Sequence, residues 1–242
     1  MMDKYQVVIL AGGRGKRLDS LTKDIPKSMI SVNDSPFLEN IISMLHAQAF
    51  TKFLILAGYL SEILIDYFGD GSELGVTIDY SIERTPLGTA GGLKNAEELL
   101  ENEFLLINGD TFLEINYAEF VKFSQKHSKL CSMICYNGEP YDEIKYKLKL
   151  ETNGLISNYS KSSSNKEFNS VDAGAYFMKK DVLSTINKNN SSLEEVVFPL
   201  LIVEKQIVGF SSTNKFYDIG TVNRLNVFKK FISSKKAYNS SS

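Results

Sequence analysis

The run LAGGRGKRL at residues 10–18 sets three glycines, Gly12, Gly13 and Gly15, among three cations, Arg14, Lys16 and Arg17. Glycines let a backbone turn tightly and aim several N–H groups at one oxygen while the cations supply charge, so the run suits a phosphate. It reads equally well as a glycine turn flanked by solvated basic residues. A dinucleotide fingerprint is excluded, because Leu18 stands where its third glycine belongs and Asp34 lies in an Asn-Asp-Ser-Pro turn; the Walker spacing fails too. Ten residues beyond Arg17, Lys27 follows Pro26 in DIPKSM, and the stiff approach holds the lysine near the same phosphates. Asp110, in NGD at 108–110, ends a predicted strand, where ligands collect in open α/β sheets. Asp218, in YDIGT at 217–221, is a second carboxylate for Mg²⁺, which typically takes one or two carboxylates with phosphate oxygens and water. Either aspartate alone is as readily a turn former.

These residues need a scaffold, and short apolar runs alternating with segments of helical period provide it. Strands are predicted at 5–10, 52–57, 75–82, 104–109, 130–136 and 171–178, with helices after Pro36, over 60–68, behind the third strand and over 117–127. Such alternation predicts an α/β fold, a mostly parallel sheet covered on both faces. Beyond about residue 138 the pattern changes. KYKLKLETNGLISNYS reads as an inserted antiparallel lobe, two strands joined at Asn153-Gly154 in a type I′ turn, followed by a mobile polar loop from Lys161 to Asn169.

Composition narrows the class of function. The 242 residues suit one domain, and 43% hydrophobic with 23% charged residues exclude disordered and fibrous classes. Lys plus Arg number 27 against 29 acids, a net charge of −2, so nucleic acid is not an expected partner. No apolar stretch approaches ~20 residues, and none spans a membrane. Cys131 and Cys135 read as buried strand thiols in a reducing cytoplasm, and His46 and His127 as packing or surface residues. The 27 Tyr and Phe residues scatter at strand and helix periods and read as core.

AGGRGKRL with PKSM, TPLGTAGG at 85–92, NGD and YDIGT together resemble the sugar-1-phosphate nucleotidyltransferase family in order and spacing. The resemblance covers nearly the whole chain, through VDAGAYF at 171–177 and LEEVVFP at 193–199. It implies a Rossmann-like three-layer fold in one domain: a nucleotide-binding half over about 1–137, a sugar-binding lobe and closing segment over 138–232, and a frayed tail over 233–242. It implies that Leu10, Ala11, Gly12, Gly13, Gly15, Arg17, Lys27, Leu87, Gly88, Thr89, Gly92 and Asp110 bind the nucleotide. Arg17, Lys27, Asp110 and Asp218 would carry the reaction, the two aspartates holding Mg²⁺. Asn108, Gly109, Lys161, Asp172, Ala173 and Gly174 would bind the sugar phosphate. Two positions depart from the family. Ser160 precedes Lys161 where the family usually has Glu, and Asp172 stands where it usually has Asn. An ionised acid only accepts hydrogen bonds, so the sugar hydroxyl facing Asp172 is expected to donate. Gly91 stays open between lining the base and packing a helix start.

The implied reaction is in-line attack by a sugar-1-phosphate oxygen on the α-phosphorus, with pyrophosphate leaving. TPLGTAGG resembles the mannose-1-phosphate and D-glycero-D-manno-heptose 1-phosphate guanylyltransferases, which favours GTP with a mannose-like or heptose sugar over CTP or UTP, and a surface-polysaccharide precursor as product. A homodimer is compatible with the family. A catalytically silent sugar-nucleotide sensor and a nicotinamide oxidoreductase are the rivals; the first would have little use for Arg17, Lys27, Asp110 and Asp218 together.

Overall fold

The computed structural model of the protein describes residues 2–139, 141, 144–160, 165–186 and 191–239. In chain order its strands are β1 (Gln6–Leu10), β2 (Ser31–Val32), β3 (Ser35–Pro36), β4 (Lys52–Ala57), β5 (Thr77–Ile82), β6 (Glu103–Asn108) and β7 (Thr111–Leu113). There follow β8 (Cys131–Tyr136), β9 (Leu148–Leu150), β10 (Ile156–Tyr159), β11 (Val171–Lys179), β12 (Ile207–Ser212) and β13 (Phe216–Asp218). The helices are α1 (Asp19–Thr22), α2 (Phe37–His46), α3 (Ser61–Phe68), α4 (Gly88–Asn95), α5 (Tyr117–His127), α6 (Phe198–Val203) and α7 (Val222–Asn239).

Seven strands form one sheet in the order β12-β8-β11-β6-β1-β4-β5. Its pairs are parallel except at β11, which runs antiparallel to both β6 and β8. Alternation along β1 builds the layers. Val7 and Ile9 face one core with residues of α2, α3, α5 and α7, whereas Val8 faces the other with residues of α4 and α6. The expected mostly parallel, Rossmann-like three-layer architecture is therefore present. Helix α2 shows how it is held: Phe37, Leu38, Ile41, Ile42 and Leu45 are completely buried, and each such side chain stabilises the fold by about 1.5–3 kcal/mol. Asn116 accepts the Glu119 N–H at 3.2 Å to cap α5, and Ser128 at φ 52° ends it.

Three local expectations are corrected. The β9–β10 hairpin is present, but a type I′ turn needs positive φ at both central residues and only Gly154 has it, at 84°. The Gly154 N–H bonds Glu151 O at 2.9 Å and Glu151 N–H bonds Leu155 O at 2.9 Å, giving a three-residue loop that closes on a left-handed glycine. The polar stretch after β10 was expected to be mobile throughout. Its residues 161–164 lie outside the described residues, while Phe168 is buried and the Asn169 amide bonds both Leu150 N–H and Leu150 O at 2.9 Å. The tail expected to fray from 233 continues as α7 to Asn239. Phe228 is buried, Phe231 stacks on Tyr217 with centroids 4.4 Å apart, and Lys235 pairs with Glu114 at 2.5 Å.

Register decides where chemistry collects. The chain runs from β1 to β4 and β5 on one side and returns as β6 on the other, so β1 is the topological switch point. Leu10 pairs with Asn108, and Ala57 with Ile82, which brings the carboxyl ends of β1, β4, β5 and β6 to one rim.

Candidate active site

The glycine loop leaves β1 at this rim. Ala11 N–H bonds Leu56 O at 2.9 Å, and the loop returns through Leu18 N–H to Gly15 O at 2.8 Å. Gly15 has φ +71°, and a methyl group there would lie 2.9 Å from Lys27 Cβ and 3.0 Å from its Cγ. Only glycine satisfies both demands. The contact presses the Lys27 stem against the loop, and Lys27 is 9% exposed.

From there Lys27 Nζ reaches Asp110 Oδ2 at 2.5 Å, joining loop and strand-end carboxylate in an ion pair. Gly109 allows the approach. Its N–H bonds Leu10 O at 3.0 Å, and a methyl group on it would stand 2.7 Å from that oxygen. Asp218 lies next door: β13 pairs with β7 so that Asp218 faces Thr111, and Ile219 N–H bonds Asp110 O at 3.0 Å. Asp218 Oδ1 accepts Gly220 N–H, and Oδ2 accepts Arg224 Nη1, both at 2.8 Å. A methyl group on Gly220 would be 3.4 Å from Arg17 Nη2, so the exposed Arg17 guanidinium overhangs the same turn. Arg17, Lys27, Asp110 and Asp218 thus lie around these neighbouring turns, and Arg224 joins them. Sequence reasoning missed Arg224, for which an arginine six residues beyond Asp218 on a helix carries no motif.

A second missed residue is Glu83, immediately after β5. Methyl groups on Gly12 and Gly58 would meet its Oε1 at 2.8 and 2.9 Å, so two glycines make room for one side chain, and Gly92 lies beside its Oε2. Its Oε2 accepts Leu87 N–H at 3.1 Å. Burial pushes the carboxyl above its ordinary pKa, and the Leu87 N–H offsets part of that. The signal available in sequence was a carboxylate at a strand end four residues before Leu87. Gly91 resolves toward packing, since a methyl group there would stand 2.9 Å from Leu87 Cβ. Thr89 donates to Glu194 at 3.1 Å and accepts Leu193 N–H at 2.8 Å, so its hydroxyl fastens α4 to the LEEVVFP segment.

Across the rim, Asn108 and Gly174 touch: a methyl group on Gly174 would lie 3.0 Å from Asn108 Nδ2. Ala173 is buried beside them, and Lys161 lies outside the described residues. Asp172 Oδ2 accepts the hydroxyls of Tyr176 at 2.8 Å and Tyr159 at 3.1 Å, and its Oδ1 accepts Gly174 N–H at 2.9 Å. Burial is the main cause that raises its pKa to about 6, the Glu194 carboxylate adding to it and the three donors opposing. Because the folded state holds this proton more tightly than the unfolded chain, the group's stability contribution is complete below about pH 4 and is lost as pH rises through about 6, a change of about 3 kcal/mol. Thermal melts from pH 4.5 to 7.5 should show wild type losing stability relative to Asp172→Asn as pH rises. A pH-independent difference would contradict that sign.

Cys131 and Cys135 are buried, and burial raises both thiols well above their ordinary pKa. Neither histidine faces the rim chemistry: His127 Nδ1 lies 2.9 Å from Phe123 O, and His46 Nδ1 lies 3.4 Å from Phe50 O. Among the described residues no three His, Cys, Asp or Glu side chains converge on a point. Asp110 and Asp218, two hard oxygen donors on hydrogen-bonded turns, fit a divalent cation that completes its shell with phosphate oxygens and water.

Residues 6–235 match the nucleotidyl transferase family model. The chain is 34% identical over 180 residues to the D-glycero-alpha-D-manno-heptose 1-phosphate guanylyltransferase of Campylobacter jejuni, covering 74% of this chain and 78% of that one. It is 31% identical over 222 residues to the mannose-1-phosphate guanyltransferase of Saccharomyces cerevisiae, covering 88% of this chain but only 60% of the yeast protein's length. The crystal structure of HddC from Yersinia pseudotuberculosis complexed with GMP-PN superposes with a TM-score of 0.78 at 27% identity, covering 94% of this chain and 99% of that one. Among the described residues no helix is long and apolar enough to cross a membrane. With the glycine loop, the Lys27–Asp110 pair and the Asp218 turn on one rim of the sheet, and the match running from β1 to α7, the chain belongs to the nucleotidyl transferase family.

Proposed function

We propose that the protein transfers a guanylyl group from GTP to a sugar-1-phosphate of the heptose or mannose type, in the cytoplasm. The oxygen of the sugar phosphate forms a bond to the α-phosphorus, the bond from that phosphorus to the β-bridging oxygen breaks, and pyrophosphate leaves. The observation that carries this is the convergence of Lys27, Arg17, Asp110 and Asp218 at the glycine loop. The attacking phosphate is already ionised near neutral pH, so the chain's task is alignment and charge stabilisation rather than proton removal. Lys27 and Arg17 face the triphosphate, with Lys27 held by Gly15 so that little reorganisation is needed as charge shifts. Asp110 and Asp218 are the residues that would hold Mg²⁺, which when bound neutralises phosphate charge.

Glu83 supports guanine. A carboxylate only accepts, and guanine presents adjacent N–H and NH₂ donors, whereas uracil has a single N–H between two carbonyls and cytosine a single NH₂ beside a ring-nitrogen acceptor, so neither gives a carboxylate two neighbouring donors. Glu83→Gln replaces one acceptor with a donor, so GTP should lose about 10²-fold in kcat/KM while UTP loses little, narrowing the base preference. A preference unchanged by Glu83→Gln would remove Glu83 from the base site. The function itself is tested by pyrophosphate release with each of the four ribonucleoside triphosphates or dTTP against a panel of sugar-1-phosphates. Release only with CTP or UTP overturns the choice of GTP, and release with none overturns the activity.

A further inference from the structure

Strand β11 does not run evenly beside β8. Asp172 pairs with Cys135 and the pairing resumes at Tyr176 with Met133, so four residues of β11 advance where β8 advances two. The surplus is taken up at Ala173, Gly174 and Ala175 as a bulge, and Gly174 adopts φ +74° there. On its other edge β11 joins β6 from Ala175 opposite Ile107 onward, which sets Gly174 against the end of β6. A methyl group on Gly174 would lie 3.0 Å from Asn108 Nδ2 and 3.3 Å from Thr111 Cβ. The bulge therefore packs on both ends of the short turn whose middle is Asp110.

One side chain spans this bulge. Asp172 Oδ1 takes the Gly174 N–H, and Oδ2 takes the Tyr176 hydroxyl on the far side and the Tyr159 hydroxyl from the inserted hairpin. Three donors converge on two oxygens that both accept. Asparagine has one accepting oxygen and would turn an NH₂ toward one of these donors, so the geometry explains an acid at this position without any sugar hydroxyl.

We propose that Asp172 is a positioning residue, which braces the β11 bulge and through it fixes the Asn108–Thr111 turn that carries Asp110. The proposal rests on the guanylyl-transfer reading for its kinetic consequence, but its structural half can be read without turnover. Amide hydrogen exchange over residues 104–113 and steady-state kinetics with GTP and a sugar-1-phosphate panel should be measured for wild type, Asp172→Ala, Asp172→Asn and Tyr176→Phe. Asp172→Ala should speed exchange at 108–111 by about tenfold. Its kcat should fall about 10- to 100-fold, since small misplacement of reacting groups costs this much, while the ranking of sugars differing at one hydroxyl stays as in wild type. Asp172→Asn, with one accepting oxygen left, should fall between wild type and Asp172→Ala on both measures. Tyr176→Phe should move both in the same direction, and carries the test if Asp172→Ala does not fold. Wild-type exchange at 108–111 in the Asp172 variants overturns the brace. So does an Asp172→Asn protein that keeps its kcat and reorders the sugars, which would make Asp172 a reader of a sugar hydroxyl. Absence of pyrophosphate release by wild type overturns the activity instead, and leaves the brace to the exchange data.

Discussion

Asp110→Asn should lower kcat by on the order of 10³ or more, because the carboxylate that pairs with Lys27 and is proposed to hold Mg²⁺ loses its charge while keeping its shape. Asparagine still offers an oxygen to Lys27 Nζ, so the buried lysine keeps a partner and the protein should fold; alanine would leave that ammonium without its partner, a smaller loss than in a fully buried pair because the Asp110 side chain keeps access to solvent. GTP binding without divalent ions should survive, since no carboxylate is needed for the cations to hold phosphate. The Asp110→Asn, Asp218→Asn double variant should fall little below the worse single one, as residues acting as a unit do. Near-normal turnover of either single variant at saturating Mg²⁺ would remove that residue from the metal site.

The second large effect belongs to Lys27. In the proposed reaction its ammonium would face the charge that grows on the leaving pyrophosphate, and loss of one such donor typically costs about 10²–10³ in kcat, or about 3–4 kcal/mol. Lys27→Met is the informative change, because it keeps the stem that packs on Gly15 and removes only the charge. If KM for GTP rises while kcat holds, the lysine binds ground state and transition state alike, and its place in the chemistry is lost.

The loop, the strand ends and the two aspartates could be read from residue order because glycine, proline and strand-end aspartate each act locally. The same holds for α5, whose predicted bounds match Tyr117–His127 because Asn116 caps it and its apolar period is clear. What escaped depends on meetings across the fold. Glu83 is unremarked in sequence, and its setting exists only once Gly12 and Gly58, at two different strand ends, and Gly92, on α4, have been brought around it. Asp172 was read toward a hydroxyl because its residue type departs from the family; its tyrosine and backbone partners appear only when the hairpin and the bulge are in place. An apolar run such as VDAGAYFM announces a strand but not its direction, so the reversal of β11 was invisible.

That reversal has a consequence for how the chain is made. The four strands β5, β4, β1 and β6 complete their mutual pairing once residue 108 has emerged, yet β8 has no neighbour in the sheet until β11 has been synthesised. Between the last residue of β8 and the first of β11 lie about 35 residues, about 2–7 s at the usual ~5–20 residues per second of synthesis. Throughout that interval β6 offers a bare edge at the centre of the future sheet and β8 a strand whose six residues are all buried in the finished fold, with nothing to pair, the two features that most invite one nascent chain to join another.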